Sequence, residues 1–562
     1  MLIDAKLLSA NEVIETEVCI VGTGPVGLSL AHEFAGQGFR VCLLESGNLE
    51  KPDADLVALA EVETEGDFVQ VKPDVRNRMF GGNSSFWAIN LPSGVTGPRH
   101  RPLDEVDFEQ RDWIPYSGWP FDRSHLIPYY ERAQRTFGMG PFAYEGSDWQ
   151  DSEHPVLPFD GSRITTRMFQ FSPGKQFFEH YRQQVQQAED ITTYFNATVV
   201  ELETNDLVTE VERVRVKGLD GKQFWVKARY TILAVGGVES AQLLLLSNQV
   251  QQAGLGNQHD LVGRFFMDHP LVYGGVFIPT NRQIFNRTGL YDLRYVNGAC
   301  IMGFLGLTDA AMRRERLPNI SFNLFPRPKR FLPSPAVDSL KQLASLRSFK
   351  QGTALRDAGT ALMGANDIFD MIYDKITRPP QPLWSNFSTG GWSHLQPQRE
   401  KVYHMFEVLH QTEQLPNPNN RVRLSDNLDK LGRRRVRMET QWRQADIEGV
   451  MRAQQVLAEE IARTGLGRYE IARPGGLPAL DTHGTAHHMG TTRMHIDPKQ
   501  GVVDPNCKVH SVSNLFIASS AVFPTGGYAN PTITAVALAI RIADQIKTLL
   551  NQSVELSLSG KS

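Results

Sequence analysis

Two adjacent histidines, His487 and His488, stand in "GTAHHMGTTRM" (Gly484 to Met494), and Asn530 precedes Pro531 in "GGYANPTITA". A neutral imidazole can take a proton from a hydroxyl group, and a carboxamide can donate a hydrogen bond to the oxygen left behind. The pattern alone assigns neither role. Neighbouring histidines are more often one packed and one exposed residue, and an Asn before Pro at a helix start is an ordinary N-cap. Asp268 and His269, side by side in "LVGRFFMDHP", invite an acid–base reading as well. Adjacent side chains usually point apart, so this pair reads as structural, joining two parts of the fold.

Residues so far apart in the chain need a scaffold, and "EVCIVGTGPVGLSLAHEFAGQGFRVCLLESG" provides its first piece. Val18 to Val21 form an apolar run that stops at Gly22. Gly22, Gly24 and Gly27 fall in GxGxxG register before an amphipathic helix, and a second strand, Val41 to Leu44, ends in Glu45. This complete βαβ unit is the context a dinucleotide-binding motif requires. Gly22 permits the tight turn, Gly24 lets the backbone approach a pyrophosphate, and Gly27 lets helix and strand pack. The helix N-terminus then faces the phosphates. Glu45 can accept hydrogen bonds from ribose hydroxyls, and its charge disfavours the 2'-phosphate of NADP.

Three remote segments argue for FAD over NAD. "RNRMFGGNSSFW" (Arg76 to Trp87) is a Gly-rich loop suited to bringing backbone close to a flat ligand. "YTILAVGGVESAQLLLLSN" (Tyr230 to Asn248) reads as a buried strand, a Gly-Gly turn and a helix. "NLFIASSAVFPTGGYANPTITAVALAIRIADQI" (Asn514 to Ile546) gives a strand, a loop and a long helix starting near Pro531, whose dipole could stabilise negative charge on a reduced flavin ring. These returns to one sheet imply a discontinuous flavin domain.

The composition sets the limits. A chain of 562 residues exceeds a single hydrophobic core, so two domains are expected. A formal net charge of -4, from 58 basic and 62 acidic side chains, leaves no electrostatic footprint for nucleic acid. The four cysteines, Cys19, Cys42, Cys300 and Cys507, form no CxxC pair, which argues against a metal site or a disulfide framework. No signal peptide and no run long enough to span a bilayer is evident, so the expected compartment is the cytoplasm, or the periplasm by export with a signal-bearing partner.

With these segments in order, the chain resembles the glucose-methanol-choline oxidoreductase family of flavoenzymes. The likeness covers nearly the whole length: the N-terminal βαβ unit, "FGGNSSFW", "DWIPYSGWPF" with "PYYERA", "NATVVEL", "LVGRFFMDHP", "EQLPNPNNRVRLSD", "AHHMGTTRM" and "GGYANPTITA". The C-terminal pair reads His then Asn, which looks toward the pyranose oxidases and glucoside 3-dehydrogenases. The resemblance implies an α/β fold, with a Rossmann-like FAD-binding domain (1–100, 190–272 and 480–552) interleaved with an α+β substrate domain on an antiparallel sheet (101–189 and 273–479). It implies His487 as base, Asn530 as its partner, and His488 as a packing residue. It places cofactor contacts at Gly24, Pro25 and Val26 near the phosphates, Glu45 at the ribose, Asn83, Ser84 and Ser85 near the flavin ring, and Val200 by backbone near the adenine. Gly22, Gly27, Ser46, Arg78, Gly82, Ser520, Pro531 and Thr532 complete the set.

The implied reaction is hydride transfer from a sugar or glycoside hydroxyl carbon, C3 or C2 of a pyranose, to flavin, which oxygen, a quinone or a cytochrome then reoxidises. The alternatives are a non-sugar alcohol or polyol as substrate, or a flavoprotein subunit of an electron-transfer complex. Phe86 stands where fungal pyranose oxidases carry a flavin-linking His, so FAD is expected to be held non-covalently. Apolar residues at helical spacing between Phe331 and Arg378, with Pro379 and Pro380 as a stop, predict a helical insertion at 331–385. It reads as a packed helical pair, or as a lid or docking surface for a partner subunit or a second copy. Arg433 to Arg435 read as a solvated turn within a hairpin.

Overall fold

The apolar run before Gly22 is the end of a longer strand, Val13–Val21, whose final residues are buried. In the computed structural model it pairs in parallel with Val41–Leu44 on one side and Gln223–Leu233 on the other. Leu2–Asp4 and Ile191–Phe195 extend one edge, also in parallel, and Leu515–Ile517 pairs with Gln223–Leu233. Thr198–Thr204 and Val211–Lys217 finish the other edge as antiparallel strands. The model describes the whole chain except residues 51, 68–74, 88, 92–93, 175–178, 329–333, 370–371, 373–397, 482–483 and 560–562.

This sheet is Rossmann-like, and its central strands are apolar because both faces are covered. One covering helix is Pro25–Phe34, another Gly236–Leu246, and a third is the long Thr532–Ser559. Ile533, Val536, Ala537 and Ile540 recur at helical spacing along the last of these and are fully buried. Gly27 is held against the turn it follows: a Cβ there would sit 1.9 Å from the Gly22 carbonyl oxygen. Gly27→Ala must therefore push the helix off the strand, and we expect purified protein with a small fraction of the wild-type flavin absorbance.

A second, antiparallel sheet runs in the order Gly467–Ile471, Leu271–Pro279, Met405–Thr412, Ile320–Arg327, Ala299–Leu307, Ile164–Pro173, Gly94–His100 and Ile89–Leu91. The expected hairpin is present as Arg421–Leu428 and Arg434–Thr440, joined to Val62–Gly66 rather than to the large sheet. Pro335–Ala344, Arg347–Lys350 and Ala354–Met363 form the described part of the insertion, which leaves Leu355, Leu362 and Met363 exposed. Pro379, Pro380 and most of 370–385 lie outside the described residues. Among the described residues no helix is long and apolar enough to cross a membrane, and no group of His, Cys, Asp or Glu could hold a metal ion.

Candidate active site

Five parallel strands end at one place. The loops that follow Val13–Val21, Val41–Leu44, Ile191–Phe195, Gln223–Leu233 and Leu515–Ile517 all line a cleft of about 490 Å³. Ligands of open α/β sheets bind at these carboxyl ends, because the helix N-termini and loop amides converge there.

One end of the cleft fits a dinucleotide. Gly22 has φ +101°, a conformation that glycine tolerates, and a Cβ on Gly24 would meet nothing within 4 Å, which leaves room at the start of Pro25–Phe34. Glu45 is buried, and its carboxylate accepts hydrogen bonds from the Thr23 backbone (3.2 Å), the Thr23 hydroxyl and the Gly47 backbone (2.8 Å). Burial raises its pKa. It thus braces the glycine turn as well as lining the cleft.

Three guanidinium groups, Arg76, Arg78 and Arg433, line the same end. Arg76 lies 3.1 Å from the Glu239 carboxylate and Arg78 3.8 Å from it, while Arg433 pairs with Asp429 at 2.8 Å. Nη1 of Arg76 and Nε of Arg78 are buried without a hydrogen-bond partner. A pyrophosphate or ribose oxygen would satisfy them, so the residues present fit the group. The expectation of a solvated turn at Arg433 to Arg435 fails at its first residue. Arg433 is buried against the cleft, whereas Arg434 and Arg435 bond to Asp426 and Glu61 at the surface.

Most of the expected cofactor residues line the cleft: Gly22, Gly24, Pro25, Val26, Glu45, Ser46, Arg78, Gly82, Asn83, Ser520, Pro531 and Thr532. Four do not. Gly27 is inside the helix contact. The Ser84 and Ser85 hydroxyls turn back to the carbonyls of Gly81 (2.5 Å) and Gly82 (2.7 Å), and Phe86 and Trp87 face the cleft instead. Val200 packs against Leu56, Leu59 and Leu431, and its neighbour Val199 lines the cleft.

The other end brings His487 and Asn530 together in one lining. The loop carrying His487 is fixed by Asp268, whose carboxylate accepts hydrogen bonds from the Thr485 hydroxyl (2.8 Å), the Ala486 backbone (3.1 Å) and the His487 backbone (2.8 Å). Ala486 has φ +59°, a left-handed conformation that a non-glycine residue keeps only when its surroundings impose it.

His269 settles the protonation of His487. His269 Nε2 lies 3.3 Å from the Gly526 carbonyl and must donate to it, so its Nδ1 is the acceptor. His487 Nδ1 is 2.9 Å from that nitrogen and 2.8 Å from the Thr485 hydroxyl oxygen, whose own hydrogen goes to Asp268. His487 therefore carries its proton on Nδ1. Its Nε2 is a bare lone pair.

Burial, His269, Arg99 and His488 hold the His487 pKa well below the usual histidine value. Burial outweighs Asp268 at His269 and brings it to about 4. Both rings are neutral at physiological pH.

Asn530 is not an N-cap here. Its Oδ1 lies 3.4 Å from Gln411 Nε2, and its Nδ2 has no partner among the described residues. Gln411 also donates to the Tyr528 carbonyl (2.6 Å) and reaches His269 Nδ1 (3.2 Å), so one side chain ties the Asn530 loop to the His487 support. Arg99 fixes the amide by donating to Gln411 Oε1 at 2.5 Å. His488 lines the cleft too, but its ring packs 5.6 Å from Phe266.

Two stretches of the chain match known protein families. A family model described as GMC oxidoreductase matches residues 416–539, the stretch holding His487 and Asn530, and one described as FAD binding domain matches 15–54. Over these stretches the chain is similar to the GMC oxidoreductase family. It is an FAD-dependent oxidoreductase that acts on CH–OH groups. The fructose dehydrogenase large subunit of Gluconobacter japonicus is 23% identical, over 97% of this chain and 100% of that protein. A C-glycoside 3-oxidase of Arthrobacter globiformis is 37% identical over 134 residues, covering 23% of this chain and 24% of that one. A formate oxidase variant from Aspergillus oryzae shares the fold, with a TM-score of 0.51 at 16% identity over 97% of this chain and 100% of that chain.

Among GMC proteins a His base is expected; its support by Asp268, His269 and Gln411 was not legible beforehand. His269→Phe keeps the bulk and removes the acceptor for His487 Nδ1–H. We expect flavin to remain bound and its anaerobic reduction to slow on the order of 100-fold, because the ring is then free to take the other tautomer. A purely structural role would leave the pH profile unmoved, whereas loss of tautomer control should move its acid limb.

Proposed function

We propose that the protein oxidises a secondary hydroxyl of a sugar or glycoside, C3 or C2 of a pyranose, to a ketone. The observation that carries this reading is the bare Nε2 of a neutral His487 sharing the cleft with an unengaged Asn530 Nδ2. FAD, when bound, supplies the hydride acceptor. His487 Nε2 takes the hydroxyl proton, which frees the carbon to release hydride. Asn530 Nδ2 donates to the same oxygen as alkoxide character develops, and behind it Arg99, Asn323 and Gln411 of the antiparallel sheet are linked by hydrogen bonds.

A sugar is favoured by the likeness to a C-glycoside 3-oxidase and to the large subunit of a fructose dehydrogenase, and C3 stands slightly ahead of C2. Residues 1–100, 190–272 and 480–552 would form the FAD-binding domain, and 101–189 with 273–479 the substrate domain. FAD would be held without a covalent link, since Phe86 faces the cleft where a linking side chain would stand. Oxygen, a quinone or a cytochrome would reoxidise it. The exposed Leu355, Leu362 and Met363 support reading the insertion as a docking surface for a partner subunit or second copy.

The test is product identification by NMR after turnover with glucose and with a methyl glucoside. A 3-keto or 2-keto sugar supports the reading; no product and no bleaching of the flavin with any sugar overturns it. The lowered His487 pKa adds a pH expectation. The base works in its neutral form, so flavin reduction should stay level from about pH 8 down through about 6.5, the ordinary histidine value, and fall only in stronger acid. A half-maximal rate near 6.5 would contradict it.

A further inference from the structure

A second cavity, of about 510 Å³, lies between the loop Gln110–Ser117, the turn at Leu261–Phe265 and the segment Arg493–Gln500. Its size is that of a small-molecule site. Arg493 lines it while being only 3% exposed, and it has no carboxylate partner among the described residues. Its Nη2 donates to the Tyr116 carbonyl at 2.8 Å, its guanidinium lies 4.4 Å from the centre of the Phe265 ring, and its Nε has no hydrogen-bond partner. A buried cation without a counter-charge is costly, and proteins normally pair it.

The other charges around the cavity are accounted for. Arg111 is buried against Glu413, Arg264 pairs with Asp260, and Asp112 pairs with Arg316. Lys499 on the rim is exposed and has no ion pair among the described residues. One buried positive charge without a carboxylate, Arg493, therefore faces the cavity, and Lys499, beside the Asp497 carboxylate, adds a second at the mouth. Its aromatic walls are Tyr116 (φ +65°) and Phe265 (φ +58°), both in the left-handed region that bulky residues avoid.

Aromatic rings also lie between the cavity and the cleft. The His488 ring lines the cleft and lies 5.6 Å from Phe266, and the next residue back, Phe265, lies 5.2 Å from Tyr116. Electrons can cross such ring contacts although a sugar cannot. We infer that this second cavity binds an anionic electron acceptor, apart from the alcohol. The inference rests on the FAD-dependent alcohol oxidation proposed above. Each alcohol oxidised would pass a hydride, two electrons and one proton, to the cofactor and its hydroxyl proton to His487; two one-electron acceptors take one electron each, and the two protons pass to solvent.

The probe is ferrocyanide, an anion that cannot itself take an electron, titrated calorimetrically into the flavin-loaded enzyme. Arg493→Gln removes the buried charge, and Lys499→Glu reverses the rim charge on an exposed residue without disturbing the interior. The expected result is saturable binding that weakens about tenfold or more in each variant. In parallel, the KM for ferricyanide should rise by a similar factor, with the ferrocenium cation and the anaerobic reduction of flavin by alcohol unaffected. Ferrocyanide binding that is absent, or unchanged in both variants, overturns the inference, as does an equal loss with ferricyanide and ferrocenium. Should no alcohol bleach the flavin, the functional reading fails while the ferrocyanide titration still decides the cavity.

Discussion

His487→Ala should leave FAD bound, with its visible spectrum intact, and slow anaerobic flavin reduction by about 10²- to 10⁴-fold, the range in which general base assistance contributes. The side chain is half-buried in the lining of the cleft, and the backbone bond from His487 N to Asp268 survives truncation, so the loop stays in place. What is lost is the bare imidazole nitrogen of His487 in the cleft lining. His488 cannot replace it, because its ring is packed beside Phe266 and its carbonyl accepts from Ser520 at 2.7 Å. Stopped-flow traces at 450 nm check this, and a rate within a few-fold of wild type would remove His487 from the chemistry.

Asn530→Ala carries the second largest effect. Removing a donor aimed at a developing oxyanion typically costs about 10²- to 10³-fold in rate. Gln411 keeps its 2.6 Å bond to the Tyr528 carbonyl and its contact with His269, so the support of His487 is expected to persist. The substitution should depress the reduction rate at saturating substrate more than it raises the substrate Kd, since the bond strengthens as charge develops. A change in Kd alone would make Asn530 a binding residue.

Residues that act through local sequence were readable before the fold was known. Gly22, Gly24, Gly27 and Glu45 lie within one βαβ unit whose geometry is set by its own spacing, and His487 and Asn530 stood out through family resemblance. Their supports did not, because register across a sheet is non-local. Arg99 and Gln411 are 312 residues apart, and Gln411 and His269 are 142 apart. Asp268 and His269 were noticed and set aside on the rule that adjacent side chains diverge. They do diverge, yet one holds the backbone of the His487 loop and the other its ring.

The local errors have local causes. The Val200 side chain packs away from the cleft that Val199 lines because side chains alternate across a strand, a face that does not bear on the expected backbone contact. Ser84 and Ser85 look like ligand donors, but short hydroxyl side chains readily bond back to nearby carbonyls. Arg433 sits in a run of three arginines that composition alone marks as solvated; only the first folds inward to Asp429.

The most direct test of the central claim is the ¹⁵N spectrum of histidine-labelled protein at about pH 6, below the ordinary histidine pKa, with the His487 signals assigned by comparison with His487→Ala. A neutral ring protonated on Nδ1 with a bare Nε2 is the expected result. A doubly protonated ring, or one protonated on Nε2, would contradict it.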